Sequence, residues 1–556
     1  MGFLSTVLAL VLGATGLWTV SSTYSLWCNY SKAKNIGLPI RVIPISHLNP
    51  FWMLVDTKII SLVKKLPFGE NSFTRYNCRS WEMADRYRSH HEMGDAFILV
   101  TPGRNWVYIA NPDTLMNIFK RRLDFPRCLE LTEVLNVFGP NISTVDGAQW
   151  KMQRKMTATC FSDQNNQIVW SETLYLAKDM IRYWGSKPTV ATTADDTRTL
   201  SLHILSRAGF GKSFKFEGHD ERTEASPSAN YKASLQTILE NCVLIMALGT
   251  KFLANPLLPQ RLRRLHEACV AFKSYMTTLY EEEKKAVDEG RSTDKNLMNS
   301  LVRASQDESR TGAGLTESEI YGNMFVFNFA GHDTTAHTFT FAIYFLAAHP
   351  DVQAWVHEEV QEVLGGTDDW SYDVHFPRLR RCLAIMLETV RLYTPVPVAK
   401  WTGDGYRSLD VGDDRTVVLP PSTMVIPSYA SIQTDPKYWG TDSLEWRPSR
   451  WISDGPSAGT GPGNEQLITP TPGTYIGWSE GARDCPGKKF SHTEFVATMA
   501  CLFKEWKVEP VLQPGETAQG ARQRVKDLIE NDSAPVLILQ MLHPERAPLR
   551  WTKWEE

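Results

Sequence analysis

The chain has 556 residues, 42% of them hydrophobic and 22% charged. That is the composition of an ordinary folded protein, and it excludes a disordered, collagen-like or polytopic membrane chain. With 59 Lys and Arg against 62 Asp and Glu, the net charge is −3, so no overall field draws the chain to nucleic acid.

Residues Phe3 to Val20 carry no charge, and their number is close to the ~20 a helix needs to cross a bilayer. Trp18 and Trp27 can mark the interface, no Lys or Arg precedes the segment, and Lys32 and Lys34 follow it. The positive-inside rule then places the N-terminus in the lumen and the rest in the cytosol. A cleaved signal peptide would want a basic leader, which is missing. The expectation is a transmembrane anchor over 1–22. Gly37, Pro39, Pro44 and Pro50 then predict a semi-rigid linker over 23–54. Residues 55–556 show no internal repeat and are read as one catalytic domain. Asn29, Asn141 and Asn531 begin glycosylation sequons, which are chance matches in a cytosolic domain. Nine cysteines, odd in number and without a Cys-x-x-Cys pair, suit a reducing compartment better than a disulfide framework or zinc site.

Within the body, Phe97 to Val100 and Trp106 to Ile109 are β-prone runs, as are Thr416 to Leu419 and Ala534 to Gln540. A long helix is predicted from Glu317 to Leu346, opened by a Thr316/Glu319 capping box and stopped at His349-Pro350. Its apolar faces (Met324, Phe325, Val326, Phe327, Phe329) predict burial on several sides. A second helix is predicted from about Arg378 to Leu392, and the Gly- and Pro-rich stretch from Gly455 to Gly473 reads as a loop. The fold class is mainly α with a minor β-sheet.

Several constellations carry chemistry. Trp150 and Arg154 share a helix face, where a cation beside an indole suits a carboxylate at the edge of an apolar plate. Inside the long helix stands Ala330-Gly331-His332-Asp333-Thr334-Thr335. Glycine there costs about 1 kcal/mol against alanine and asks for a reason, such as a gap for a small ligand. The blander reading of Thr334 is a hydroxyl bonded back to a carbonyl one turn earlier. Glu388 and Arg391 lie one turn apart and can pair. Lys400 follows Pro395-Val396-Pro397, and Arg450 lies in Trp446-Arg447-Pro448-Ser449-Arg450-Trp451. Last comes Trp478-Ser479-Glu480-Gly481-Ala482-Arg483-Asp484-Cys485-Pro486-Gly487. Two glycines let a flat ligand approach the backbone, and a cysteine just before an apolar helix has the dipole that favours a thiolate.

This last run resembles the haem-binding signature of the cytochrome P-450 family, an aromatic residue followed by Gly-x-Arg-x-Cys-x-Gly, with Trp478 where the family usually has Phe. The resemblance extends to the oxygen-activation motif at Ala330–Thr335, the Glu-x-x-Arg pair, the Trp-x-x-x-Arg helix and the segment before Arg450, where Ser449 replaces the usual acid. It implies the cytochrome P-450 fold preceded by one transmembrane helix, and haem b with Cys485 as axial thiolate. Trp478, Gly481, Arg483 and Gly487 would shape the haem site, Trp150, Arg154 and Lys400 would hold the propionates, and Asp333 and Thr334 would manage protons. Glu388, Arg391 and Arg450 would form a structural network. The implied reaction is insertion of one oxygen atom of O2 into a lipophilic terpenoid, steroid or polyketide in secondary metabolism. The chain has no dinucleotide fingerprint, so electrons would come from a membrane-bound NADPH-dependent reductase, with cytochrome b5 as a further donor. Lys151, Arg154, Lys155, Lys488 and Lys489 are candidate docking charges. The expected location is the endoplasmic reticulum membrane. Met324, Phe325, Asn328, Phe329, Val396, Val398 and the loop from Leu131 to Phe138 are candidate pocket residues. An oxygen-independent haem-thiolate isomerase or dehydratase, and a non-catalytic membrane haem protein, are the alternatives.

Overall fold

The computed structural model describes residues 2–46, 49–53, 55–78, 81–221, 227–291, 296–311, 314–412, 415–455 and 461–554. They form two compact units. The first comprises Met1–Cys128, Pro397–Glu445 and Pro470–Asp484; the second comprises Leu129–Val396, Trp446–Thr469 and Cys485–Glu556.

The first unit begins with helix α1 (Gly2–Ile36). It runs past the expected 1–22 anchor because no Gly or Pro interrupts residues 17–36, and it ends at Gly37, whose φ is +80°. Leu12, Leu17, Val20, Tyr24 and Trp27 are exposed along it, whereas Ala33, Ile36 and Leu38 join the unit's core. Among the described residues no helix is long and apolar enough to cross a membrane. The side chains of residues 1–11, half of the expected anchor, lie outside those described. The proline-punctuated segment is not only a spacer: β1 (Ile40–Val42) pairs in parallel with β2 (Ala96–Val100). β2 turns into β3 (Asn105–Ile109), and with β4 (Lys400–Trp401) and β5 (Met424–Pro427) the sheet runs β1-β2-β3-β5-β4. Every residue of β2 and β3 is buried, as continuous apolar runs require. A hairpin of Arg407–Asp410 with Thr416–Leu419 buries Val417 and Leu419 and exposes Thr416 and Val418, the period-two alternation of a one-sided strand.

The second unit is mostly helical: α2 (Gly147–Ala158), α3 (Asp163–Gly185), α4 (Thr193–Phe210), α5 (Pro227–Glu240), α6 (Gln260–Asp288), α7 (Glu317–Ala348), α8 (Arg380–Leu392) and α9 (Lys488–Glu505) carry the argument. The capping box of α7 forms: Glu319 N donates to Thr316 Oγ1 at 3.3 Å and Thr316 N donates to Glu319 Oε2 at 2.9 Å. From Glu319 to Ala348 the helix is buried except at Ala330, Gly331 and Thr334. α4 packs along it, joined by Thr197 and Thr340 hydroxyls 3.1 Å apart. α9 packs on α3 and meets α7 through the stacked rings of Phe339 and Phe495, 4.9 Å between centroids.

Two strand expectations change. Residues 534–540 form a hairpin of Ser533–Pro535 with Leu539–Met541 rather than one strand. The predicted loop 455–473 carries Glu465–Leu467, paired with Ile452–Asp454, while 456–460 lie outside the described residues. Asn141 of the central sequon is fully buried, its amide donating to Leu135 O and Gly139 O.

Candidate functional site

In the second unit α8 builds a closed ion network. Glu388 and Arg391 are 0% and 1% exposed. Arg391 Nε and Nη2 donate to the Glu388 carboxylate at 2.7 and 2.8 Å, and Arg450 Nε donates to Oε1 at 2.8 Å. The Arg447 N–H (2.9 Å) and the Trp451 indole (3.0 Å) add two donors that sequence reasoning missed. Burial pushes the Glu388 carboxyl upward, but the guanidinium groups of Arg391 and Arg450 and the Arg447 N–H hold it below its ordinary value.

α2 carries Trp150, buried, and Arg154, half-buried, one turn apart, with Lys151 and Lys155 exposed. A polar chain missed by the sequence reading, buried at Gln153, Glu319 and Asn323, ties α2 to α7. Gln149 and Gln153 donate to Glu319 Oε1 (2.6 and 3.0 Å), Asn323 donates to Gln153 Oε1 (3.1 Å), and Ile142 N donates to Asn323 Oδ1 (3.1 Å). Such chains fix the azimuth of a helix, because every member must be satisfied together.

α7 opens on one face. Ala330 is exposed, Gly331 and Thr334 are half-buried, and Ala330 and Thr334 stand one turn apart. The Thr334 hydroxyl donates to Ala330 O at 2.9 Å, the back-bond of the blander reading, after which its oxygen can still accept. Gly331 has a steric reason: a Cβ there would stand 3.0 and 3.1 Å from the δ carbons of Leu205. The missing side chain lets α4 approach. Asp333, about 100° round the helix from Thr334, is buried against α4. Arg198 Nε donates to its Oδ1 at 3.2 Å, and His337 Nε2 lies 3.3 Å from the same atom. Burial pushes the Asp333 carboxyl up, yet His337, His332 and Arg198 together hold it well below the usual carboxylate range.

The candidate pocket residues on α7 are packed rather than open. Met324 and Phe325 are 0% exposed, and the Phe325 ring meets Phe138 at 5.3 Å and Phe272 at 6.1 Å. Asn328 accepts from Tyr231 of α5 and donates to Met324 O. Val396 is half-exposed.

Cys485 precedes α9 by three residues and is exposed, whereas the other eight cysteines are buried or half-buried. Gly487 lies beside Cys485: a Cβ there would stand 3.9 Å from the sulfur, in ordinary van der Waals contact. In the first unit, Arg483 is buried in the short turn Gly481–Arg483. Gly481 has φ +75°, and a Cβ there would come 2.8 Å from Phe119 O, so glycine is required twice over. Trp478 is half-buried with its ring 6.2 Å from Tyr475. Lys400 is 2% exposed, its Nζ 5.5 Å from the Phe119 ring centroid.

The sequence pattern described as Cytochrome P450 matches residues 74–522, most of the chain. A cytochrome P450 monooxygenase of Arthrobotrys oligospora is 27% identical, covering 93% of each chain. Another, of Postia placenta, is 28% identical over 79% of this chain and 82% of its own. The phomenoic acid biosynthesis cluster cytochrome P450 monooxygenase of Leptosphaeria maculans is 27% identical over 90% of this chain and 91% of its own. The chain belongs to the cytochrome P450 family of monooxygenases.

Proposed function

We propose that the chain holds haem b through the Cys485 sulfur and inserts one oxygen atom of O2 into a lipophilic substrate of terpenoid, steroid or polyketide type, in secondary metabolism. The observation that carries this reading is the presence, within one unit, of an exposed thiol before a helix and of an open face at Ala330, Gly331 and Thr334 on a helix otherwise buried from Glu319 to Ala348. The residues present fit the group. The Cys485 thiol is exposed, and the half-buried Arg154 of the same unit has the charge that a propionate needs. When bound, haem with a thiolate ligand supplies the activation of O2.

The chain's own residues orient and move protons. Thr334 Oγ1 accepts at the open face while its hydrogen stays on Ala330 O. Asp333, anionic at rest, takes a proton from water before it can pass one on. Glu388, Arg391 and Arg450 hold α8 against the Pro448–Trp451 turn. The exposed Lys151, Lys155 and Lys488, and Lys489, ion-paired to Asp163, are the surface offered to an NADPH-dependent reductase and to cytochrome b5. The exposed Leu12, Leu17, Trp18 and Val20 of α1 support a single-pass anchor in the endoplasmic reticulum membrane, with the catalytic domain in the cytosol.

The test is expression in microsomes with a reductase. Lipophilic compounds are screened for spin-state shifts and then for products with and without O2. Oxygenated product only with O2 supports the reading; conversion without O2 identifies an isomerase or dehydratase instead. Thr334→Ala should divert electrons from product to peroxide, and unchanged coupling would remove Thr334 from proton handling.

A further inference from the structure

His337 lies one turn beyond Asp333 on α7, with a side chain 3% exposed. Its Nε2 stands 3.3 Å from Asp333 Oδ1 and 3.2 Å from Arg198 Nη2. One nitrogen cannot serve both neighbours. Bare, it accepts from the guanidinium and sets its lone pair against a carboxylate oxygen; carrying hydrogen, it donates to Asp333 and turns an N–H on an N–H. The same Arg198 Nη2 also donates to Gln540 Oε1 at 3.0 Å, and Nη1 lies 4.0 Å from Asp195. Arg198 therefore keeps its bond to Gln540 when His337 gives it up.

The cluster borders a cavity of about 30 Å³ lined by Arg198, Lys232, His332, Asp333, Glu240 and Gln540 among others, room for about two waters. His337 itself meets Asp333 from its own helix and Arg198 from α4. Arg198 and Asp333 also line the cavity, together with Lys232 and Glu240 from α5, His332 from α7 and the neutral Gln540 from the C-terminal hairpin, and Asp195 of α4 lies 4.0 Å from Arg198 Nη1. The charged groups that act on His337 itself are Asp333 and Arg198.

We infer that His337 is a positioning residue for the proton-handling carboxylate: its hydrogen decides whether Arg198 is clamped on Asp333 or held by Gln540 at the cavity without Asp333. Bare His337 keeps Arg198 on Asp333 Oδ1 and the carboxylate anionic. Protonated His337 takes over the contact with Asp333, and Arg198 no longer competes with a water for the carboxylate. Burial holds His337 below its ordinary value, Arg198 adds to this, and Asp333 opposes it. The clamped state is thus the one present at neutral pH. This inference rests on the reading of Asp333 and Thr334 as proton handlers.

The test uses the full chain with two substitutions. In His337→Gln the amide oxygen can accept from Arg198 while its NH2 donates to Asp333, so both contacts are met and nothing titrates. His337→Phe keeps the ring and loses both. The first readout, which needs no turnover, is thermal stability from about pH 8 to about pH 5. A value lowered on folding makes the wild type lose stability as pH falls below the ordinary histidine range. That loss should be shallower in His337→Gln, where the buried His90, His332 and His492, lowered in the same direction, still contribute. The second readout is the share of electrons ending as peroxide. It should stay near wild type in His337→Gln but lose its pH dependence, and rise severalfold in His337→Phe. A wild-type pH profile of stability in both variants overturns the inference. So does unchanged coupling in His337→Phe where Thr334→Ala uncouples. If Thr334→Ala leaves coupling intact, the proton-handling reading falls, while the stability profile still decides whether His337 clamps Arg198.

Discussion

Glu388→Gln is the sharpest perturbation of the frame that surrounds the site. The carboxylate is fully buried and accepts from Arg391 Nε and Nη2, Arg450 Nε, the Arg447 N–H and Trp451 Nε1. Glutamine keeps the shape but removes the charge and turns an NH2 toward a guanidinium. Two buried arginines are left without their counter-ion, a loss of about 3–5 kcal/mol. Trp451→Phe removes one N–H donor to a charged acceptor and should cost about 1.5–3 kcal/mol, plus a packing loss. The order is therefore Glu388→Gln above Trp451→Phe. The assay is urea unfolding of the full chain followed by tryptophan fluorescence, read as the shift in midpoint at unchanged slope. A loss below about 1 kcal/mol for Glu388→Gln, where a buried charge network demands more, would refute the reasoning, as would a reversed order.

Gly331→Ala should gain about 1 kcal/mol of helix propensity but crowd Leu205, for a net change within about 2 kcal/mol. Leu205→Ala alone should cost about 2–5 kcal/mol, and less when Ala occupies position 331, because the new methyl fills the cavity; additive losses in a double-mutant cycle would contradict the contact. Burial pushes Glu494 up to about 8 against a pull from Ser201. The folded chain then binds the proton more tightly than the unfolded one, so stability falls as pH rises from the ordinary carboxylate range to about 8. Glu494→Gln should remove that slope, and a wild-type/variant difference in Tm that stays constant across this range would contradict it.

What could be read from the sequence was local. α7 announced itself through Thr316, Glu319 and Pro350, all within a turn of its ends. The Glu388–Arg391 pair lies within one turn, and its link to Arg450 came from the family resemblance rather than from spacing. What escaped was non-local. β1 is three residues long and finds its partner far along the chain at Ile98 to Val100, so no period marks it. The cluster of Arg198, Asp333, His337 and Gln540 joins three segments separated by more than a hundred residues, and His332 drew attention where His337 holds the contact. Gly331 was noticed for the right reason, its cost in a helix. Its neighbour Leu205 is visible only once α4 is laid against α7.

The most direct measurement is the absorption spectrum of the reduced carbonyl complex of Cys485→Ser beside the wild type, with thermal stability recorded in parallel to show that the variant folds. The account predicts that the wild type has the red-shifted Soret band of thiolate ligation and that the variant, still folded, lacks it. A red-shifted band retained in the variant would mean that another residue holds the iron.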